Sequence, residues 1–207
     1  MKLLVATRSV GKQREVRRLL APLDLEPTFP DDLGIPIDPA EDALELGETY
    51  AENARAKAEY FARRTFLPTV ADDSGLEVIA LGGAPGVRSK RWALDALGAA
   101  SLHGSALDDA NNAALLARLA GAPPSRRLAR YRCVLAYLPA PTAPAELFEG
   151  ACAGTLLEEP RGSRGFGYDP LFFSADLGKT FGEAEDAEKD AVSHRGRAWR
   201  ALAARLR

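Results

Sequence analysis

Two adjacent carboxylates, Asp72 and Asp73, follow directly on the short β-prone run at residues 69–71 and precede Ser74 and Gly75. Because side chains alternate between the two faces of a strand, we expect the two carboxylates to point to opposite sides of a sheet. In an open α/β sheet, ligands bind at the carboxyl ends of the strands, so charge at this point predicts a site. The alternative is an ordinary turn, because Asp, Ser and Gly are frequent turn residues.

The composition places limits on the class of protein. A chain of 207 residues, 46% hydrophobic and 27% charged, suits one soluble domain over residues 1–207. The formal net charge of -2 gives no support to a nucleic-acid-binding surface. No stretch approaches the roughly 18 apolar residues of a membrane span. The first residues do not show the charged region, apolar stretch and cleavage site of a secretion signal, so we expect none. Cys133 and Cys152 suit buried, reduced thiols, so we expect a cytoplasmic protein.

The N-terminal segment combines a strand, a polar glycine loop and a helix. Residues 2–6 are predicted to form a buried parallel strand, residues 7–12 a loop, and residues from Gln13 to about Leu20 a helix. Free amides and the helix dipole would point at the loop, which is an anion-binding arrangement. The loop is not a Walker A motif, since Gln13 stands where Ser or Thr would be needed. A generic β–α turn remains the alternative.

A second helix is predicted from the N-cap Thr49 to about Thr65. Asn53 and Lys57 are four residues apart and therefore share a face of this helix, and Glu45 lies just before it. An ordinary solvated face is the alternative interpretation.

Further strands complete the predicted sheet. After a turn at Gly75, residues 76–81 are expected to form a separate strand. Residues 130–138 and 147–153 are predicted to pair as antiparallel strands, which would make the sheet mixed.

Two polar segments near the C-terminus are unusual. Three glycines surround Phe166, Tyr168 and Asp169, and such a loop suits the stacking of an aromatic ring against a planar ligand. A structural glycine loop is the alternative. His194 and Arg195 fall in the first turn of a predicted terminal helix, where cations oppose the helix dipole. Two donors there indicate an acceptor-rich ligand, and a surface pair on a frayed helix is the alternative.

Six segments, in order along the chain, resemble the inosine/xanthosine triphosphate pyrophosphatase family. They are ATRSVGKQREV, ETYAENARAKA, ADDSGLEV, GGAPGVRSKRW, GFGYDPLFF and KDAVSHRG. The resemblance implies an α/β fold with an elongated central mixed β-sheet flanked by helices, two lobes around a nucleotide-binding cleft, and a homodimer. It also implies Mg²⁺-dependent hydrolysis of ITP, dITP and XTP to the monophosphate and pyrophosphate by one domain spanning residues 1–207.

The resemblance implies roles for individual residues. Glu45 and Asp73 match metal-associated carboxylates, with Asp73 also the general base, and Lys57 matches a phosphate-facing lysine. The segment that matches the triphosphate-binding loop consists of Thr7, Arg8, Ser9, Val10, Gly11 and Lys12. Ser9 departs from the family, which usually has Asn there, and its hydroxyl is shorter than an amide side chain.

The remaining implied contacts are to the nucleoside. Phe166 is expected to stack on the purine, and Lys189, His194 and Arg195 to contact the oxygens of the base. The full set matching substrate contacts in this part of the chain is Ser74, Phe166, Gly167, Tyr168, Asp169, Lys189, His194 and Arg195.

Two other functions stay open at this point. One is a pyrophosphatase for pyrimidine or modified nucleotides, and the other is a nucleotide-sensing module without turnover. Retention of both Glu45 and Asp73 favours an enzyme, because a pure binder needs no water-activating carboxylate. The expected partner is a small nucleotide rather than a nucleic-acid polymer or a membrane.

Overall fold

The computed structural model describes residues 2–23, 25–97 and 102–207. The strands are β1 (Lys2–Val5), β2 (Glu26–Thr28), β3 (Thr69–Val78), β4 (Leu128–Leu138), β5 (Glu146–Leu156), β6 (Phe172–Ser174) and β7 (Lys179–Thr180). The α-helices are α1 (Val10–Leu20), α2 (Tyr50–Thr65), α3 (Trp92–Leu97), α4 (Gly104–Arg118), α5 (Asp186–Val192) and α6 (His194–Leu206). Short 3₁₀ segments include Pro39–Glu45 and Gly86–Arg91.

The strands form one mixed sheet in the order β2-β1-β3-β4-β5-β6-β7. β1 runs parallel to both β2 and β3, and Val5 lies opposite Val70. β6 pairs antiparallel with both β5 and β7. The predicted α/β class and mixed sheet flanked by helices are therefore confirmed, and the two long strands predicted after residue 127 are the neighbours β4 and β5.

The chain divides into two compact units. The first comprises Met1–Asp73, Cys133–Gly150 and His194–Arg207, and the second comprises Ser74–Arg132 and Ala151–Ser193. In the first unit, apolar side chains are buried on both faces of the sheet. Val70 belongs to a cluster with residues of α1 and α6, whereas Ala71 belongs to a separate cluster with residues of α2.

The second unit has its own aromatic core. Leu76 and Val78 of β3 pack in a cluster with Tyr131, Phe172 and Phe181. The ring centroids of Tyr131 and Phe172 are 4.7 Å apart, and those of Phe172 and Phe181 are 5.0 Å apart. This core supports the loop that precedes β6.

Two expectations about the strand and helix boundaries were wrong. β3 does not end at the carboxylates but runs without a break from Thr69 to Val78, because Leu76 and Val78 are themselves buried core residues. The predicted separate strand at residues 76–81 is the end of β3 followed by a 3₁₀ turn. α1 begins at Val10 rather than Gln13, because Ser9 caps the helix.

Other expectations hold. α2 begins after the N-cap Thr49 and ends at Thr65, as predicted. Cys133 and Cys152 are free thiols and are buried. Across the described ranges, no helix combines the length and the apolar character that crossing a bilayer requires.

Candidate functional site

The loop between β1 and α1 lies beside the carboxylate pair. β1 ends at Val5, which is paired with Val70, so Asp72 and Asp73 lie just beyond the carboxyl end of β1 in the neighbouring strand. Ser9 caps α1 by accepting a hydrogen bond from the Lys12 amide. Of the predicted loop at residues 7–12, the last three residues form the first turn of α1. A loop followed by a helix N-terminus favours the binding of anions.

On one face of β3, Asp72 is the centre of a buried charge network. Its Oδ2 lies 3.1 Å from Lys12 Nζ and 3.2 Å from Arg195 Nε. Arg195 also contacts Glu15, with 2.5 Å between Nη1 and Oε2. Burial opposes the charge on Asp72, but Lys12 and Arg195 outweigh it and hold the pKa of that carboxyl well below its usual range.

On the opposite face, Asp73 is held by two residues of α2. Its Oδ1 accepts a hydrogen bond from Lys57 Nζ at 3.2 Å, and its Oδ2 accepts one from Asn53 Nδ2 at 3.0 Å. Lys57 also donates to Glu45 Oε1 at 2.9 Å. Burial lowers the pKa of Lys57, but the charges of Asp73 and Glu45 more than compensate and raise it.

These contacts settle two interpretations. The expected alternation of Asp72 and Asp73 is confirmed by their different partners. The solvated-face alternative for α2 is wrong, because Asn53 and Lys57 are only 1% and 7% exposed. We call Glu45, Asn53, Lys57 and Asp73 the α2 cluster.

The α2 cluster has the donor set that Mg²⁺ prefers. In the described ranges, no group of three or more His, Cys, Asp or Glu side chains is placed to hold a metal ion. Mg²⁺, however, usually takes only one or two carboxylates together with waters and phosphate oxygens. Glu45 and Asp73 both contact the Lys57 ammonium, and these two carboxylates match the number that Mg²⁺ usually takes.

Arg8 makes many contacts within the first unit. Its guanidinium donates to both carboxylate oxygens of Glu41 at 2.7 Å and also to Asp31. It donates further to the carbonyls of Ile35 and Pro36, at 3.2 and 3.0 Å. Arg8 thus links the β1–α1 loop to the segment that leads to Glu45. Its predicted contact with phosphate stays a prediction.

In the second unit, Lys189 and Asp169 form a buried ion pair next to Phe166. The Lys189 Nζ lies 2.5 Å from Asp169 Oδ2 and 5.1 Å from the centroid of the Phe166 ring. Asp169 Oδ2 also accepts the backbone N–H of Phe166 at 2.9 Å. The structure therefore brings together three residues that the family resemblance implies for binding of the base.

The two residues between Phe166 and Asp169 are fixed by other elements. The Tyr168 hydroxyl donates to the carbonyl of Ser89 at 2.8 Å, and burial raises its pKa. The Gly167 N–H donates to Asp108 Oδ2 at 2.8 Å, and the Gly167 carbonyl accepts from Asn112 Nδ2 at 2.9 Å. We call residues 166–169 the aromatic loop.

The other predicted contacts lie as follows. Thr7 is half-buried, and its Oγ1 accepts the Ser9 N–H at 3.2 Å. The Val10 side chain is 65% exposed. Gly11 lies in the first turn of α1, and Ser74 is half-buried in β3. His194 is buried at the start of α6. The roles predicted for these residues in substrate binding stay predictions.

Several residues that organise these clusters are not among the predicted site residues. Glu15 follows Lys12 by three residues on α1, and this spacing could have indicated a shared site. Asp108 and Asn112 are four residues apart on α4, so the same rule places them on one face. Asn53 had been noted only for its position beside Lys57.

Comparisons with known proteins extend the resemblance. The sequence model of the Ham1 family matches residues 3–205. A dITP/XTP pyrophosphatase from Syntrophobacter fumaroxidans is 48% identical over 196 residues, covering 95% of this chain and 78% of its own length. One from Frankia alni is 45% identical over 207 residues, covering 100% and 98%. The solved structure of a HAM1 protein from Coxiella burnetii has a TM-score of 0.82 and 34% identity, covering 100% and 98%.

Proposed function

The chain belongs to the Ham1 family, and from this premise we propose that it is a nucleoside triphosphate pyrophosphatase acting on deaminated purine nucleotides. The family resemblance drawn from the six sequence segments is thereby confirmed. The observation that carries the proposal is the 45–48% identity to two dITP/XTP pyrophosphatases over nearly the whole chain. The substrates are ITP, dITP and XTP, and the products are the monophosphate and pyrophosphate.

The α2 cluster supports the hydrolytic step. Lys57 and Asn53 hold the two oxygens of Asp73 by hydrogen bonds, so this carboxylate has a fixed orientation. We assign Asp73 as the general base that takes a proton from the attacking water. The water oxygen bonds to the α-phosphorus, and the bond between that phosphorus and the bridging oxygen breaks to release pyrophosphate.

Cations of the first unit support binding of the triphosphate. Lys12 lies in the first turn of α1 with its ammonium beside Asp72, and Lys57 lies in the α2 cluster. Their charge balances the charge that develops on the departing pyrophosphate. We propose that Glu45 and Asp73 hold Mg²⁺, which when bound would neutralise phosphate charge. The β1–α1 loop and the first turn of α1 would offer backbone donors to phosphate oxygens.

The aromatic loop supports recognition of the base. Phe166 is half-buried, and the expected role of its ring is to stack on the purine. The Lys189 ammonium lies 5.1 Å from the centroid of this ring. The 6-oxo group of hypoxanthine or xanthine would accept from such a donor. The 6-amino group of adenine would instead place a hydrogen-bond donor against the donor of the site. Sites of this type can favour the correct substrate over the wrong one by about 10⁴-fold. The same proposal includes the predicted contacts of His194 and Arg195 with the base. It also includes a homodimeric state and a cytoplasmic location.

The test is product release from ITP, XTP, ATP, GTP and UTP at equal concentration, with Mg²⁺ and with EDTA. We expect pyrophosphate from ITP and XTP, with little from the other three and none in EDTA. Orthophosphate as the product, or equal rates for all five nucleotides, would contradict the proposal. Faster hydrolysis of UTP than of ITP would favour the pyrimidine alternative. Binding of ITP without any release would favour the sensing module.

A further inference from the structure

We propose that Asp108 and Asn112 of α4 are positioning residues for base recognition, acting through the backbone of Gly167. The inference rests on the proposed function, since it concerns how the aromatic loop is presented to the base. The two side chains hold the two peptide groups of Gly167, one through its N–H and the other through its carbonyl. Neither residue belongs to the set that the family resemblance implied.

The geometry fixes the backbone on both sides of Phe166. The Phe166 N–H is bound by Asp169, and the peptide that follows the ring is bound by Asp108 through the Gly167 N–H. Gly167 has a positive φ of 64°, a conformation that favours glycine. The loop is a turn without strand pairing, so these side-chain bonds decide where the Phe166 ring points.

The burial of polar atoms in Asp108 and Asn112 is energetically unfavourable. Burial raises the pKa of Asp108 even though the Gly167 N–H opposes this rise. The Oδ1 of Asn112 is buried and has no hydrogen-bond partner in the part of the chain that the structure describes. A buried polar atom without a partner is unfavourable, so stability alone does not explain an Asn at this position. Control of the aromatic loop does explain it.

The clasp formed by Asp108 and Asn112 predicts a selective kinetic effect. Loss of either bond would let the Phe166 ring sample other orientations and weaken stacking on the base. The cluster that would bind the phosphates lies in the first unit and shares no residue with the clasp. We therefore expect weaker binding of the whole nucleotide without weaker binding of pyrophosphate.

The experiment measures kcat and KM for ITP and the inhibition constant of pyrophosphate in full-length Asp108→Ala, Asp108→Asn and Asn112→Ala. Losing one hydrogen bond corresponds to a roughly three- to tenfold rise in KM. We expect this rise in both alanine variants, with kcat and the inhibition constant of pyrophosphate unchanged. Asp108→Asn keeps an oxygen that can accept the Gly167 N–H, so it should stay close to the wild type. Asp109→Asn, the same change at the exposed neighbouring residue, is the matched control.

The outcomes distinguish a failure of the clasp from a failure of the proposed function. An unchanged KM in both alanine variants would overturn the clasp, as would an equal rise in KM and in the inhibition constant of pyrophosphate. If Asp108→Ala does not fold, Asn112→Ala and Asp108→Asn still test the inference. A wild-type protein that hydrolyses no ITP would overturn the proposed function itself, and the inference with it.

Discussion

Replacement of Asp72 by Asn tests the buried charge network on one face of β3. Asp72 is 2% exposed and contacts both Lys12 and Arg195 at close to 3 Å. Removing one partner of a buried ion pair costs about 3–5 kcal/mol, because the remaining charge is left uncompensated. Arg195 would keep Glu15, and the side chain of Lys12 is 16% exposed and can reach water. We therefore expect a loss of about 3 kcal/mol, the lower end of that range.

The pH dependence of this loss follows from the pKa of Asp72. That pKa is lower in the folded protein than in the unfolded chain, because Lys12 and Arg195 outweigh the effect of burial. The folded state therefore binds fewer protons, and the stabilisation is present above the unfolded pKa of about 3.9 and lost as the pH falls through the folded value. The difference between wild type and variant should be largest near neutral pH and shrink in acid.

The assay is urea unfolding followed by circular dichroism, at neutral pH and in a series below about pH 4. Asp109→Asn is the control, and it should change the free energy of unfolding by less than about 0.5 kcal/mol. A loss in Asp72→Asn below about 1 kcal/mol, or one that is the same at every pH, would refute the reasoning.

Three further predictions concern the base, the thiols and a close contact. Phe166→Ala should weaken binding of ITP by about 1–3 kcal/mol, the scale of base–aromatic stacking, and an unchanged KM would rule out stacking. Cys133 is buried, and burial raises its pKa to about 12, so iodoacetamide should label it only in denaturant. Labelling of the folded protein at mildly alkaline pH would contradict this. Gly165→Ala should lower stability by about 1–3 kcal/mol, since a Cβ would lie 2.0 Å from Asp169 Oδ2 and φ is +73°. Thermal unfolding checks it, and a melting temperature equal to that of the wild type would argue against so tight a contact.

The sequence predicts the elements whose signals are local. The N-cap Thr49 and the apolar spacing of α2 gave that helix its correct ends. The alternation along β3 gave Asp72 and Asp73 their opposite faces. Each depends on only a few neighbouring residues, and each is a property of backbone geometry.

Sequence patterns are insufficient where residues far apart in the chain determine the local structure or the contacts of a side chain. The sequence Asp-Ser-Gly favours a turn, but β3 continues through it because Leu76 and Val78 are buried in a core built from residues far along the chain. The clasp on Gly167 joins α4 to a loop 55 or more residues later, and no local pattern reports such a pairing. The hydrogen bonds from Arg8 to residues 31–41 likewise join distant parts of the chain, and its predicted contact with phosphate stays a prediction.

The measurement that tests the central claim most directly is the turnover of ITP by Asp73→Asn in the presence of Mg²⁺. The account predicts a fall in kcat of at least about 10²-fold, because the group that takes the proton from water is lost. Circular dichroism should show a native fold, and ITP should still bind. A folded variant with undiminished kcat would contradict the assignment of the α2 cluster as the hydrolytic centre.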